Sequence, residues 1–210
     1  MPDTLQRVLG AIGAGLTLPL VGALALAVRL DSPGPAIHAS LRAGEGGRPF
    51  RCHKLRTMRL ASAAQGSAVT VADDVRITRL GRVLRRARLD ELPQLWDVAR
   101  GTMRLVGPRP EAPEFVDLAD PRHREVFTVR PGITGLAQLF FADEARLLAG
   151  PAPEATYRQV VLPRKLRFDV AYLRHRSAGL DLWILAQTPR ALLGRPIQPP
   201  AILRAELADG

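Results

Sequence analysis

Residues 8–28, VLGAIGAGLTLPLVGALALAV, carry no charge, and Arg7 and Arg29 flank them. About 20 apolar residues suffice to cross the hydrocarbon core of a bilayer, so any fold of this chain must place a segment that water disfavours. Three readings are compatible with the pattern. A secretory signal peptide would use Arg7 as its basic start and small residues around Ala23, Ala25 and Ala27 as its cleavage site. A spanning helix would put one flank outside, although arginines at both ends give no charge asymmetry. A re-entrant helix would keep both ends on one side. Pro19, near the middle, removes a helical hydrogen bond and clashes with the preceding turn, which calls for a bend. In lipid the freed carbonyl must find another partner, and the Thr17 hydroxyl is placed to serve a carbonyl of the turn before it.

At 210 residues the chain has room for one domain with a real core and an appendage. Its formal net charge is +10, with 30 Lys and Arg residues, of which Lys54 and Lys165 are the two lysines. Such a surface wants an anionic partner: nucleic acid, anionic lipid or nucleotide phosphate. Aromatic residues make up 5% of the chain and do not interleave with the arginines, so a base-stacking surface has little support. The single Cys52 excludes an intrachain disulfide and a Cys-rich zinc site, which fits a reducing compartment.

LDSPGP at 30–35 is a turn cluster that ends the apolar helix. AIHASLRAG and RPFRCHKLRTMR follow, separated by Glu45, Gly46 and Gly47, and read as a β-hairpin. His38 and His53 are polar hairpin residues in this reading, because no helical HxxxH or carboxylate partner accompanies them. The small polar stretch 61–73 reads as a loop. RITRLGRVLRRAR at 76–88 places Leu80, Val83, Leu84 and Ala87 at helical spacing among arginines, an amphipathic basic helix. Asp90 then stands where a helix N-cap would, with Glu91 next and Pro93 in the first turn, and the helix should run to about Val98 and stop before Gly101. Taken alone, Asp90 is a cap, and VGPRP and RPGITG are rigid turns.

Together LDELPQ, LVGPRP and RPGITG, in that order along 89–135, resemble the bacterial sugar transferases, small monotopic phosphoglycosyl transferases. KLRTM at 54–58 and FDVAYLRHRSAGLDLWILAQT at 168–188 are similar to further family motifs, so the resemblance covers nearly the whole chain. It implies an α+β fold, mostly helical with a small antiparallel β-hairpin, in which 1–30 form a re-entrant membrane helix and 31–210 a catalytic domain with interfacial helices. It implies transfer of a sugar 1-phosphate from a nucleoside diphosphate sugar, UDP-linked, to polyprenyl phosphate at the cytoplasmic face of the bacterial inner membrane, releasing UMP. Asp90 would be the nucleophile, and Glu91, with Asp90, would hold Mg²⁺. Lys54, Arg56, Arg85, Arg109 and Arg130 would bind substrate phosphates, and Asp169 would support the active site. Asp181 would begin and orient the following apolar helix, whose Leu182, Trp183, Leu185 and Ala186 would dock at the interface. The partners expected are the sugar nucleotide, the polyprenyl phosphate and the membrane, not nucleic acid; a homodimer is compatible.

The chain departs from the family pattern at Leu18, Ser40, Asp97, Arg104 and Ala142, where the resemblance calls for Ser, Gln, Asn, Ser and Arg. The alternative of another class is a membrane-tethered basic scaffold or nucleic-acid-binding module, in which Asp90 merely caps a helix.

Overall fold

The computed structural model describes residues 1–60, 69–71, 74–142 and 144–208. The uncharged run forms most of α1 (Asp3–Asp31), one 29-residue helix with Pro19 inside it. By length and composition it is long enough to cross a membrane. The Thr17 hydroxyl donates to the Gly13 carbonyl at 2.7 Å, a carbonyl of the turn before it as the sequence suggested, although the carbonyl that Pro19 frees is that of Gly15. Ile12, Leu16, Leu18, Leu20 and Leu26 are exposed along its length.

Both ends of α1 are fastened to the same body. At the start, the Gln6 side-chain Oε1 accepts from the backbone N–H groups of Leu105 (3.0 Å) and Val106 (3.3 Å), while Arg104 reaches Asp3 and the Met1 backbone carbonyl. Arg104 thus has a structural task where the family pattern has Ser. At the far end, Val28 packs with Leu55 and Leu84. The Arg56 guanidinium there covers the carbonyls of Val28, Ser32 and Pro33. A cation over the orphan carbonyls of a helix C-terminus is favoured by hydrogen bonding and by the helix dipole.

The hairpin is present as β1 (Ile37–Ala43) and β2 (Pro49–Leu55), paired antiparallel with Ser40 opposite Cys52. Gly46 and Gly47 take positive φ in the connection. After β2 the chain is closed by an antiparallel bridge between Met58 and Ile77. The loop reading of 61–73 falls largely outside the described residues, at 61–68 and 72–73.

α2 (Arg79–Arg86) is shorter than the pattern at 76–88 predicted, starting after Thr78, whose side chain caps the Gly81 N–H. Val83 and Ala87, expected on its apolar face, are exposed; Leu84 and Gly81 are the buried positions. α3 (Gln94–Arg100) ends at Gly101, as expected. Two further strands, β3 (Arg104–Val106) and β4 (Gly132–Thr134), pair in parallel. The sequence showed these segments only as turns. A Cβ on Gly132 would stand 2.2 Å from the Gly107 nitrogen, so glycine here lets two backbones touch.

The rest is helical: α4 (Pro121–Val126), α5 (Leu136–Phe140), α6 (Glu144–Leu147), α7 (Pro153–Thr156), a π-helical turn at Tyr157–Val161, α8 (Leu162–Arg174), α9 (Ala178–Leu192) and α10 (Ala201–Ala208). One core joins Phe115, Val126, Tyr157, Val161, Leu166 and Val170; another joins Val106, Leu136, Tyr172, Ile184 and Leu203. Ser177, not Asp181, caps α9. Asp181 is instead fully buried and accepts from the Tyr172 hydroxyl at 2.7 Å and from the Met1 ammonium. On α9, Leu182 and Ala186 are exposed, whereas Trp183 and Leu185 pack against the core.

Candidate active site

Asp90 does not cap an α-helix. It lies in a short 3₁₀ turn, Leu89–Glu91, which follows Arg88 at φ 55°, the one non-glycine residue with positive φ among the described residues. A left-handed arginine is an uncommon and strained conformation, and such strain gathers where a site dictates the backbone. The turn reverses the chain between α2 and α3 and buries both carboxylates, leaving Asp90 6% and Glu91 7% exposed.

Glu91 is clamped by cations. Lys54 Nζ, Arg109 Nη2 and Arg88 Nη1 lie 3.1, 3.0 and 3.5 Å from its Oε1. Burial alone would raise this carboxyl, but Lys54, Arg109 and Arg88 outweigh burial and hold it well below the usual range. The Arg109 guanidinium is held more tightly protonated by the same charge. Asp90 goes the other way: burial, then the neighbouring charge of Glu91, push its carboxyl up against the opposing pull of Lys54, Arg85 and Arg88. Its Oδ1 is buried without a hydrogen-bond partner. Two adjacent carboxylates are therefore driven apart, one a fixed anion and the other a more basic, unbonded oxygen.

These groups open into a cleft of about 760 Å³. Lys54, Arg85, Arg88 and Arg109 line it together with Asp90, Glu91 and Arg42. Arg85 is set by α2, which lies so close to β2's exit that a Cβ on Gly81 would meet the Thr57 carbonyl oxygen at 2.2 Å. Its Nε donates to the Thr57 hydroxyl at 2.8 Å. A second, smaller slot of about 160 Å³ reaches Glu91 and Arg88 and is otherwise mostly apolar, with Leu92, Leu95, Ile133, Leu139 and Leu192.

Of the residues the sequence pointed to, the structure brings Lys54, Arg85, Arg109, Asp90 and Glu91 together. Arg56 touches the cleft, but its guanidinium is committed to the end of α1. Arg130 is directed elsewhere, to Glu45 at 3.3 Å and towards Asp3 at 3.9 Å. Asp169 is 4% exposed, with Oδ1 buried and unpartnered, and burial pushes its carboxyl up to about 8. Asp97 holds His53 through the ring Nδ1 (2.6 Å) and the backbone N–H (2.9 Å), tying α3 to the hairpin. Ala142 lines the cleft.

Sequence reasoning assigned no role to Glu111 or Tyr157. Both line the cleft, joined through Lys165, whose rarity in an arginine-rich chain was the one available signal. As for a metal, no cluster of three or more His, Cys, Asp or Glu side chains occurs among the described residues. Mg²⁺ needs fewer: one or two carboxylates suffice when phosphates and water complete its shell. Glu91, whose cation contacts all fall on Oε1 and leave Oε2 for a metal, fits that requirement, and Asp90 has a carboxylate oxygen besides Oδ1 to add to it.

Residues 2–195 match the family model described as bacterial sugar transferase. The chain belongs to this family. It is 39% identical over 198 residues to a UDP-glucose:undecaprenyl-phosphate glucose-1-phosphate transferase of Caulobacter vibrioides, covering 91% of this chain and 70% of that protein. A UDP-N-acetylgalactosamine-undecaprenyl-phosphate N-acetylgalactosaminephosphotransferase of Aeromonas hydrophila is 36% identical over 196 residues, 90% of this chain and 44% of that one. The exopolysaccharide production protein PSS of Rhizobium leguminosarum bv. phaseoli is 36% identical over 177 residues, 81% of this chain and 84% of that protein. The chain thus spans most of two of these relatives and less than half of the third.

Proposed function

We propose that the chain transfers a sugar 1-phosphate from a UDP-sugar to undecaprenyl phosphate, in two steps through Asp90. The observation that carries this reading is the buried, unbonded Asp90 Oδ1 beside a cation-clamped Glu91 in a cleft large enough for a nucleotide sugar. Asp90 Oδ1 attacks the phosphorus that bears the sugar. The bond from that phosphorus to the bridging oxygen breaks, UMP leaves with the electron pair, and an acyl-phosphate of the sugar remains on Asp90. A phosphate oxygen of the lipid then attacks the same phosphorus and frees the carboxylate. Lys54, Arg85 and Arg109 neutralise and position the phosphates, which is most of what phosphoryl transfer asks of a protein. Asp90 and Glu91 would hold Mg²⁺, which supplies charge neutralisation at the phosphate oxygens when bound. The apolar slot meeting Arg88 and Glu91 suits the first isoprene units of the acceptor.

In this reading residues 1–30 are the membrane element and 31–210 the catalytic domain. With both ends of α1 fastened to one body and its middle apolar and exposed, the helix enters and leaves the cytoplasmic leaflet of the inner membrane on one side. Single cysteines replacing Leu5 and Leu30, each in a Cys52→Ala background, should both resist an impermeant thiol reagent in intact cells and label after lysis. Labelling of either one in intact cells refutes the one-sided arrangement.

The chemistry is tested by incubating purified protein with a UDP-sugar and no lipid. One equivalent of UMP should appear, with a sugar-phosphate mass on the Asp90 peptide, and Asp90→Asn should show neither. Substantial turnover by Asp90→Asn sinks the assignment. Salt-dependent nucleic-acid binding without UMP release would favour the scaffold reading instead.

A further inference from the structure

The cleft has two chemically different walls. Lys54, Arg85, Arg88 and Arg109 make one positive. The other carries Glu111, Glu144, Tyr157 and Lys165. Lys165 Nζ stands 2.7 Å from Glu111 Oε1, 2.8 Å from the Tyr157 hydroxyl and 3.2 Å from Glu144 Oε2. Tyr157 donates in turn to Glu111 Oε2 at 2.6 Å. Lys165 and Tyr157 are each 4% exposed, so the network is fixed from behind. Two carboxylates meet one ammonium here, with Arg42 acting on Glu111, and Arg109 on both glutamates, from elsewhere in the lining. A neutral sugar hydroxyl can donate to carboxylates held in this way.

Gln138 adds an independent sign. It stands where this cleft meets the smaller apolar slot, lining both, and its amide Nε2 and Oε1 are both buried without a hydrogen-bond partner. A buried amide left unsatisfied on both atoms costs stability. A hydroxyl, which donates and accepts, satisfies both.

We propose that Gln138, with the carboxylates of Glu111 and Glu144 held by Lys165 and Tyr157, forms the subsite that takes the hydroxyl groups of the donor's sugar. The inference rests on the reading of the cleft as a nucleotide-sugar site. It orients the donor, diphosphate towards the cations and sugar towards the carboxylates, and makes this wall the seat of sugar choice.

The test uses the full chain in lipid nanodiscs with a panel of UDP-hexoses and UDP-N-acetylhexosamines. UMP release gives kcat/KM for each donor, and calorimetry gives the affinity for UMP, which lacks the sugar. Gln138→Met removes the orphan amide at nearly constant volume, so its unfolding temperature should hold or rise while kcat/KM for the preferred donor falls tenfold or more. Glu144→Gln should change the ratio of kcat/KM between donors at least fivefold. UMP affinity should stay within twofold in both variants. A wild type that releases UMP normally, with Gln138→Met and Glu144→Gln altering no donor more than twofold, overturns the hydroxyl subsite alone. Equal losses for every donor and for UMP overturn it too, because they mark a structural role. No UMP release from any donor by the wild type overturns the transferase reading beneath it.

Discussion

Replacing Asp169 by Asn should flatten the pH dependence of stability between about pH 4 and pH 8. Asp169 sits on α8 one turn beyond Lys165, whose ammonium is taken by Glu111, Tyr157 and Glu144. Burial is the largest influence on its carboxyl; Lys165 opposes it, Glu111 adds to it, and the value comes to about 8 against 3.8 for an unburied group. The folded chain therefore keeps a proton that the unfolded chain releases near pH 4. Stability from this group is fully present below pH 3.8 and is lost as pH rises through 8. The slope is about 1.4 kcal/mol per pH unit, and the accumulated loss at pH 7 is roughly 4 kcal/mol. Asn fills the same space and binds no proton, so it removes the slope. Unfolding temperatures of the two proteins in nanodiscs, followed by fluorescence of Trp96 and Trp183, give a difference curve in which other titrating groups cancel. For a chain of this size the difference between pH 5 and pH 8 should be on the order of 10 °C, with the variant favoured at high pH. Parallel curves for the two proteins would refute the reasoning.

Arg56→Ala should lower stability by about 2–3 kcal/mol, because several buried carbonyls at the end of α1 lose their donor. The loss should appear as a lower unfolding temperature with donor KM little changed, whereas a large KM effect would return Arg56 to the phosphates. Lys54→Met should leave Glu91 clamped by Arg109 and Arg88 and the fold intact, yet raise KM for the UDP-sugar about tenfold or more; unchanged steady-state kinetics would remove Lys54 from the site. Chelator in excess should abolish UMP release and added Mg²⁺ should restore it, and full activity in the chelator would count against a metal between Asp90 and Glu91.

Features encoded by neighbouring residues were legible in the sequence. The uncharged run gave α1, the Gly46–Gly47 pair gave the hairpin, and Gly101 gave the end of α3. Features made by distant pairing were not. β3 and β4 are three residues each, too short to show alternation, and they meet only because Gly107 and Gly132 allow backbone contact across 25 positions of chain. The Asp90 turn was misread as a cap because nothing in RLDELP announces that Arg88 adopts a left-handed conformation. Arg56 and Lys54 share one motif, but β2 ends at Leu55, so strand alternation stops and the two cations part: one towards Glu91, the other towards α1.

Charge type carried more information about the site than charge number. Arginine dominates a chain with 30 basic residues, and arginines serve here as caps, surface pairs and phosphate contacts alike. The two lysines do one thing: each puts an ammonium against a buried glutamate in the cleft lining, Lys54 on Glu91 and Lys165 on Glu111. A compact ammonium with three rotatable donors can gather acceptors converging from different elements, as Lys165 gathers Glu111, Tyr157 and Glu144, where a planar guanidinium fork would need them coplanar. Lys54 was recognised because a local motif surrounds it. Lys165 offered only its rarity, since its partners come from the stretch after β3, from α6 and from the π-helical turn, and only the folded chain brings them within 3.2 Å.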